Sequence, residues 1–130
     1  MHFVGQTESG HEIHWDSGPR GALTKGPAPM EAVLQAAAVC GGMDVVSILK
    51  KRRKEISRFE LETEANRKAD YPKTFEKLKI IYRLGGDGIT LGEIEKAVKL
   101  SWEKYCSVVN MMIPNVEVEY RVELLEEKSV

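Results

Sequence analysis

The residues of this sequence best suited to chemistry are its two cysteines, Cys40 and Cys106, which lie 66 positions apart. Cys40 is followed directly by Gly41 and Gly42, inside an apolar run that is typical of a long helix. Each glycine in such a helix costs about 0.8–1 kcal/mol of stability relative to alanine. We interpret this cost as a sign that the glycines leave open space beside the sulfur.

A cysteine pair of this kind can support a two-step redox cycle. A Cys40 thiolate can attack a peroxide oxygen, become a sulfenic acid and be captured by Cys106 as a disulfide. The thiolate needs a nearby cation, and Arg20 in the preceding loop is the nearest candidate by sequence. Asp44, one helical turn from Cys40, acts against it, because a like charge disfavours the ionised thiol. A competing interpretation is that both cysteines are inert core residues, although it leaves the double glycine unexplained.

Metal binding is the rival chemistry for the same residues. The possible ligands are His11, Glu12, His14, Cys40 and Cys106. The two histidines are three positions apart in a strand pattern and therefore face opposite sides, and the sequence contains no CxxC or HExxH motif. It also contains no glycine-rich phosphate loop after a strand and no GxSxG motif. We therefore expect neither a metal nor a bound cofactor.

Composition limits the class of protein. The 130 residues are 42% hydrophobic and 30% charged, which fits a single globular domain over residues 1–130. A formal net charge of -1 gives no overall field that would attract nucleic acid or an anionic membrane. The basic run Lys50 to Lys54 is interpreted as the solvated end of a helix, and the apolar run Met30 to Leu49 as a buried core helix rather than a membrane span. With no visible signal peptide, we expect a cytoplasmic protein.

The pattern of residues predicts an α+β fold. Residues 3–15 predict a hairpin that turns at Ser9-Gly10, residues 16–28 a loop, and residues 29–54 a long helix with Pro29 in its first turn. Residues 59–64 and 77–84 alternate as two strands. Their outward charges are complementary, which favours antiparallel pairing: Glu60, Glu62 and Glu64 on one strand and Lys77, Lys79 and Arg83 on the other.

A second helix should cover the sheet. Thr90 and Glu93 have the spacing of a capping box, so this helix should begin near Leu91 and run until Pro114. Its apolar stripe is Ile94, Val98, Trp102, Tyr105, Val109 and Met112. Cys106 lies at the edge of that stripe. Residues 116–123 alternate again and predict a last strand that joins a mostly antiparallel sheet.

Several segments together resemble the OsmC-like family, the group of osmotically inducible and organic hydroperoxide resistance proteins. The residues that carry the resemblance are Pro29 to Leu34, Cys40 to Leu49, Leu100 to Val108, Ser9-Gly10-His11 and Asp16. The resemblance covers nearly the whole chain. It implies an intertwined homodimer with long central helices packed on the sheet and with sites at the subunit interface.

The resemblance also implies a function, that of a thiol-dependent peroxidase for organic hydroperoxides with an external dithiol as reductant. Cys40 would be the peroxidatic cysteine and Cys106 the resolving one. Arg20 would stabilise the thiolate. Glu31 would hold that arginine, although it lies one position later than the family's glutamate, a rotation of about 100° on a helix. The alternative is a noncatalytic redox sensor or hydrophobic-ligand-binding dimer with the same fold.

Overall fold

The computed structural model describes residues 1–19 and 22–126 of the chain. The chain divides into two compact units, Met1–Gln35 and Ala36–Val130. One long helix begins in the first unit and continues into the second. The α+β class is confirmed, while a single domain over residues 1–130 stays a prediction.

The first unit opens with the predicted hairpin. Strands β1 (His2–Gln6) and β2 (Glu12–Asp16) pair antiparallel. The turn contains Gly10 at a φ of 89°, a left-handed conformation that favours glycine, and its N–H donates to the carbonyl of Thr7 at 3.0 Å. The predicted turn at Ser9-Gly10 is therefore confirmed.

Asp16 fastens the loop that follows the hairpin. Its carboxylate accepts hydrogen bonds from the backbone N–H groups of Lys25 at 3.0 Å and Ser17 at 2.8 Å, and from the ammonium group of Met1 at 3.1 Å. These donors, led by the amide of Lys25, lower the pKa of Asp16 to about 2. The ionised carboxylate is thus the form that the folded loop requires.

The long helix α1 spans Pro29–Lys51, three residues shorter than predicted, and Arg53 just beyond it has a φ of 61°. Pro29 occupies its first turn as expected. The carboxylate of Glu31 accepts the backbone N–H of Ala28 at 3.0 Å, which is the glutamate half of a capping box. The start of the helix is therefore fixed by the sequence of its own first turn.

Only one side of α1 is covered. Its buried residues are Ala37, Ala38, Gly41, Gly42, Val45 and Leu49. Val39 and Met43, on another side, are 42% and 69% exposed. Among the described residues, α1 is also the one helix long and apolar enough to span a membrane by length and composition, with 33% of that stretch buried in the chain. Half of the predicted core helix thus remains open to contact.

In the second unit, β3 (Arg58–Arg67) and β4 (Phe75–Gly85) pair antiparallel as predicted. Glu60 lies opposite Arg83, and Glu64 opposite Lys79. The guanidinium of Arg83 bonds Glu62 at 2.7 Å and Glu123 at 2.5 Å, so it joins three strands. The acidic strand therefore lies against the basic one, as expected.

The predicted second helix is divided into three parts. Helix α2 (Leu91–Leu100) is followed by a π-helical turn (Ser101–Tyr105) and, after Cys106, by the short helix α3 (Ser107–Met112). The hydroxyl of Thr90 caps α2 by accepting the N–H of Glu93 at 3.2 Å, whereas the Glu93 carboxylate pairs with Lys54 at 3.5 Å. The expectation of one continuous helix, with Cys106 on its face, was wrong.

Strand β5 (Glu117–Leu124) pairs in parallel with β4. Because β3 pairs with the other edge of β4, the sheet order is β3-β4-β5. Parallel pairing requires a crossover, which α2, the π turn and α3 supply. Strand β4 is central, and most of its residues are buried. The largest fully buried side chains of the sheet are Leu78, Ile80, Ile81, Tyr82 and Leu84.

Candidate active site

The second unit brings the two cysteines together. Both are free thiols; Cys40 is half-buried on α1 and Cys106 is fully buried after the π turn. The two thiols lie close enough to interact, because Cys40 contributes to raising the pKa of Cys106. The positions that lie 66 residues apart in sequence are therefore neighbours in the fold.

The Cys106 thiol holds its proton tightly. Burial raises the pKa of the Cys106 thiol to about 11, and its interaction with Cys40 and the nearby charge of Asp44 act in the same direction. The backbone amide of Val109 acts the other way but does not cancel burial. Cys106 is therefore a neutral thiol at physiological pH.

A break in the helix determines the position of Cys106. Its N–H donates to the carbonyl of Ser101 at 2.7 Å, five residues back, and its own backbone is extended, with a φ of -74° and a ψ of 100°. An uninterrupted α-helix would instead direct this N–H to the carbonyl of Trp102. Such π turns are often found at functional sites.

Asp44 connects the helix of Cys40 to the turn that precedes Cys106. It follows Cys40 by four residues on α1, and its carboxylate accepts the hydroxyl proton of Ser101 at 2.8 Å. Ser101 is fully buried. A buried hydroxyl without a partner costs about 1–3 kcal/mol, so this bond holds the two elements in register.

The double glycine has a packing reason. A Cβ on Gly41 would lie 2.6 Å from the hydroxyl oxygen of Tyr82, and one on Gly42 would lie 2.9 Å from Cδ1 of Leu61. The space that the glycines leave is thus filled by side chains of the sheet. The hypothesis that it stays open beside the sulfur was wrong.

Tyr82 is a second buried polar group beside the cysteines. Its hydroxyl accepts a hydrogen bond from Nε1 of Trp102 at 2.9 Å. Burial raises its pKa to about 12, with smaller contributions from Cys106, Asp44 and Cys40. A neutral phenol therefore forms one wall of the thiol pair.

The structure does not test the other two predicted site residues. Arg20 lies outside the described residues. Glu31 belongs to the first unit, where its carboxylate caps the start of α1. Their assignment to the site stays a prediction.

The histidines have partners in the hairpin. Nε2 of His14 lies 3.2 Å from the carboxylate of Glu12, its Nδ1 lies 2.8 Å from Nε2 of His2, and Nδ1 of His11 lies 3.0 Å from the hydroxyl of Ser9. Residues 1–19 and 22–126 contain no cluster of three histidine, cysteine, aspartate or glutamate side chains that could hold a metal ion.

Sequence reasoning missed four residues around the thiols: Tyr82, Ser101, Trp102 in its polar role, and Asn110. Tyr82 and Ser101 carry a hydroxyl on elements that otherwise bury apolar residues, and this was the signal available. Asn110, by contrast, is an exposed polar residue on a helix and gives no such signal.

A groove of about 370 Å³ adjoins the site at Asp44. Its apolar surface comes from Ile48, Leu100 and Tyr105, and its far end carries Lys51 and Arg52. The groove can therefore take a small molecule that is mostly apolar.

Comparison with known proteins supports the fold. The family model described as OsmC-like protein matches residues 21–121. Protein YhfA of Escherichia coli K12 is 37% identical over 123 residues, 95% of this chain and 90% of YhfA. A crystal structure of a hypothetical protein from Aquifex aeolicus has 34% identity and a TM-score of 0.78, over 96% of this chain and 89% of that one.

A more distant structure shares the fold. An organic hydroperoxide resistance protein of Legionella pneumophila superimposes with a TM-score of 0.63 at 19% identity, covering 95% of each chain.

Proposed function

Because the chain belongs to the OsmC-like family, we propose that it is a thiol-dependent peroxidase that reduces organic hydroperoxides. The observation that carries the proposal is the pair of neighbouring free thiols, of which Cys106 is fully buried and Cys40 is only half-buried. This difference in access suits Cys40 for attack and Cys106 for resolution.

The cycle has three balanced steps. The Cys40 thiolate attacks the terminal oxygen of a hydroperoxide, and the O–O bond breaks. Cys40 becomes a sulfenic acid, and the alkoxide takes up a proton and leaves as an alcohol. The Cys106 thiol then attacks the Cys40 sulfur, which forms the disulfide and releases water. An external dithiol reduces the disulfide and is itself oxidised to a disulfide.

The groove beside Asp44 is the proposed position of the organic part of the substrate. Ile48, one helical turn beyond Asp44, offers apolar contact together with Leu100 and Tyr105. Truncation of the exposed Tyr105 to serine should raise KM for cumene hydroperoxide several-fold and leave the rate with hydrogen peroxide unchanged. Equal KM values of the wild type and this variant for cumene hydroperoxide would exclude the groove as the binding site of the organic part.

The uncovered side of α1 supports a homodimer. Val39 and Met43 leave apolar surface exposed beside the half-buried Cys40. We propose that a second copy of the chain covers this side of α1. We also propose that the protein is cytoplasmic.

Turnover tests the function. With dithiothreitol as reductant, the wild-type protein should consume cumene hydroperoxide continuously, Cys40→Ser should consume none, and Cys106→Ser should form a trappable sulfenic acid. Equal consumption by all three proteins would overturn the mechanism.

One observation favours a second candidate, a noncatalytic redox sensor or ligand-binding dimer. The charge of Asp44 lies close enough to raise the pKa of Cys106, and a carboxylate in this place disfavours a thiolate beside it. Stoichiometric disulfide formation without sustained turnover would identify this candidate.

A further inference from the structure

The break at Cys106 takes the α-helical donor away from the carbonyl of Trp102. Because the N–H of Cys106 donates to Ser101 at 2.7 Å, it is not available to the carbonyl of Trp102, its acceptor in an α-helix. A carbonyl that loses its helical donor must find another or be stabilised by water. The arrangement of the second cysteine therefore depends on what satisfies Trp102.

The side chain of Asn110 provides that donor. Its Nδ2 lies 2.9 Å from the carbonyl oxygen of Trp102 and 2.8 Å from that of Cys106. One amide group thus joins the carbonyls on both sides of the break. The backbone N–H of Asn110 also donates to the carbonyl of Cys106 at 3.2 Å, which closes the first turn of α3.

The alternative conformation is a continuous helix. There the N–H of Cys106 would return to Trp102, and the loss of the extra residue in the π turn would rotate Cys106 by about 100°. That rotation would take its thiol away from Cys40. The π turn is therefore the form of this segment that brings Cys106 toward Cys40.

We propose that Asn110 is a positioning residue for disulfide formation, which holds the break at Cys106 open so that its thiol faces Cys40. The inference rests on the proposed two-cysteine cycle and extends it to the second step. Asn110 is exposed on α3, and its side chain donates to the carbonyls of Trp102 and Cys106 rather than to Cys40.

Asn110→Asp is the variant that tests this role. It keeps the shape of the side chain, replaces the amide donor with an acceptor, and places a negative charge against two carbonyl oxygens. Asn115→Asp is the matched control, because Asn115 is also exposed and follows α3. Circular dichroism and thermal melting should show that both variants are folded.

The first measurement is stopped-flow oxidation with cumene hydroperoxide. Asn110→Asp should form the Cys40 sulfenic acid at the wild-type rate but close the disulfide about tenfold to a hundredfold more slowly, since a small misplacement of reacting atoms costs this much. The fraction trapped by dimedone should rise accordingly. Asn115→Asp should match the wild type, and wild-type closure in Asn110→Asp would overturn the proposal.

The second measurement does not depend on peroxide. In buffers of reduced and oxidised glutathione, the equilibrium for the Cys40–Cys106 disulfide gives the effective concentration of one thiol toward the other. Asn110→Asp should lower it at least about tenfold relative to both the wild type and Asn115→Asp. This result would support the positioning role even if the protein failed to consume peroxide, and an unchanged equilibrium would refute it.

Discussion

At the scale of the residue, Gly41 is the clearest case of a side chain excluded by its surroundings. A Cβ there would lie 2.6 Å from the buried hydroxyl oxygen of Tyr82. Gly41→Ala should therefore lower the free energy of unfolding by about 1–3 kcal/mol in urea titrations, despite the better helix propensity of alanine.

Two controls accompany this prediction. Gly92→Ala, where an added Cβ meets nothing within 4 Å, should not destabilise the protein. Tyr82→Phe should recover part of the loss in the Gly41→Ala background, because it removes the oxygen that the methyl group meets. A Gly41→Ala protein as stable as the wild type would contradict the packing explanation.

Cys106 and Tyr82 make the protein sensitive to alkali. Burial raises the pKa of Cys106 from 9.0 to about 11 and that of Tyr82 from 10.0 to about 12. The folded state thus holds these protons more tightly than the unfolded chain, so stability is complete below pH 9 and falls as the pH rises through 11 to 12. Urea titrations at several pH values should show this decline.

Tyr82→Phe should make that decline shallower above pH 10, since phenylalanine has no proton to lose. The contradicting result is a free energy of unfolding that stays constant from pH 9 to pH 12 in the wild type.

At the scale of the element, the loop after the hairpin depends on the ionised carboxylate of Asp16. The backbone amide of Lys25, with the other donors, lowers its pKa from 3.8 to about 2. The contribution of the Asp16 carboxylate to the stability of the loop is therefore complete above about pH 4 and is lost as the pH falls through 2. Amide signals of Ser17 and Lys25 should shift together with that midpoint in NMR titrations, and Asp16→Asn should abolish the transition. A midpoint near 3.8 would contradict the assigned contacts.

Some of the helices and strands could be predicted from the sequence and others could not. Alternation and charge predicted the hairpin, the β3–β4 pair and the start of α1, because each depends on residues near one another in the chain. The prediction of one continuous second helix was wrong because Ile94, Val98 and Trp102 keep a helical spacing up to the π turn. Asn110 donates hydrogen bonds to the carbonyls of Trp102 and Cys106, and the spacing of the apolar residues gives no sign of these contacts.

The site could be predicted only in part for the same reason. Cys40 and Cys106 were recognisable by type and spacing. Tyr82 and Ser101 come to them from a strand and from the turn, and only tertiary packing reveals those contacts. The parallel direction of β5 likewise depends on the crossover rather than on its own alternation.

At the scale of the whole molecule, the exposed side of α1 predicts association. Met43 is 69% exposed on an apolar helix, so Met43→Glu should place a charge in the proposed interface and shift a dimer toward monomer. Sedimentation velocity measures this directly, with Lys50→Glu, an exposed change near the end of the same helix, as the control. A wild-type protein that is monomeric at micromolar concentration would contradict the proposal.

The Cys40–Cys106 pair is central to the proposed mechanism, and a single oxidation of the reduced protein tests it. Reduced protein receives one equivalent of cumene hydroperoxide, and peroxide loss, intact mass and a peptide map are followed together. We predict rapid loss of the peroxide, a mass decrease of about 2 Da, and a disulfide that joins Cys40 to Cys106. Unchanged peroxide and unchanged mass would contradict the account.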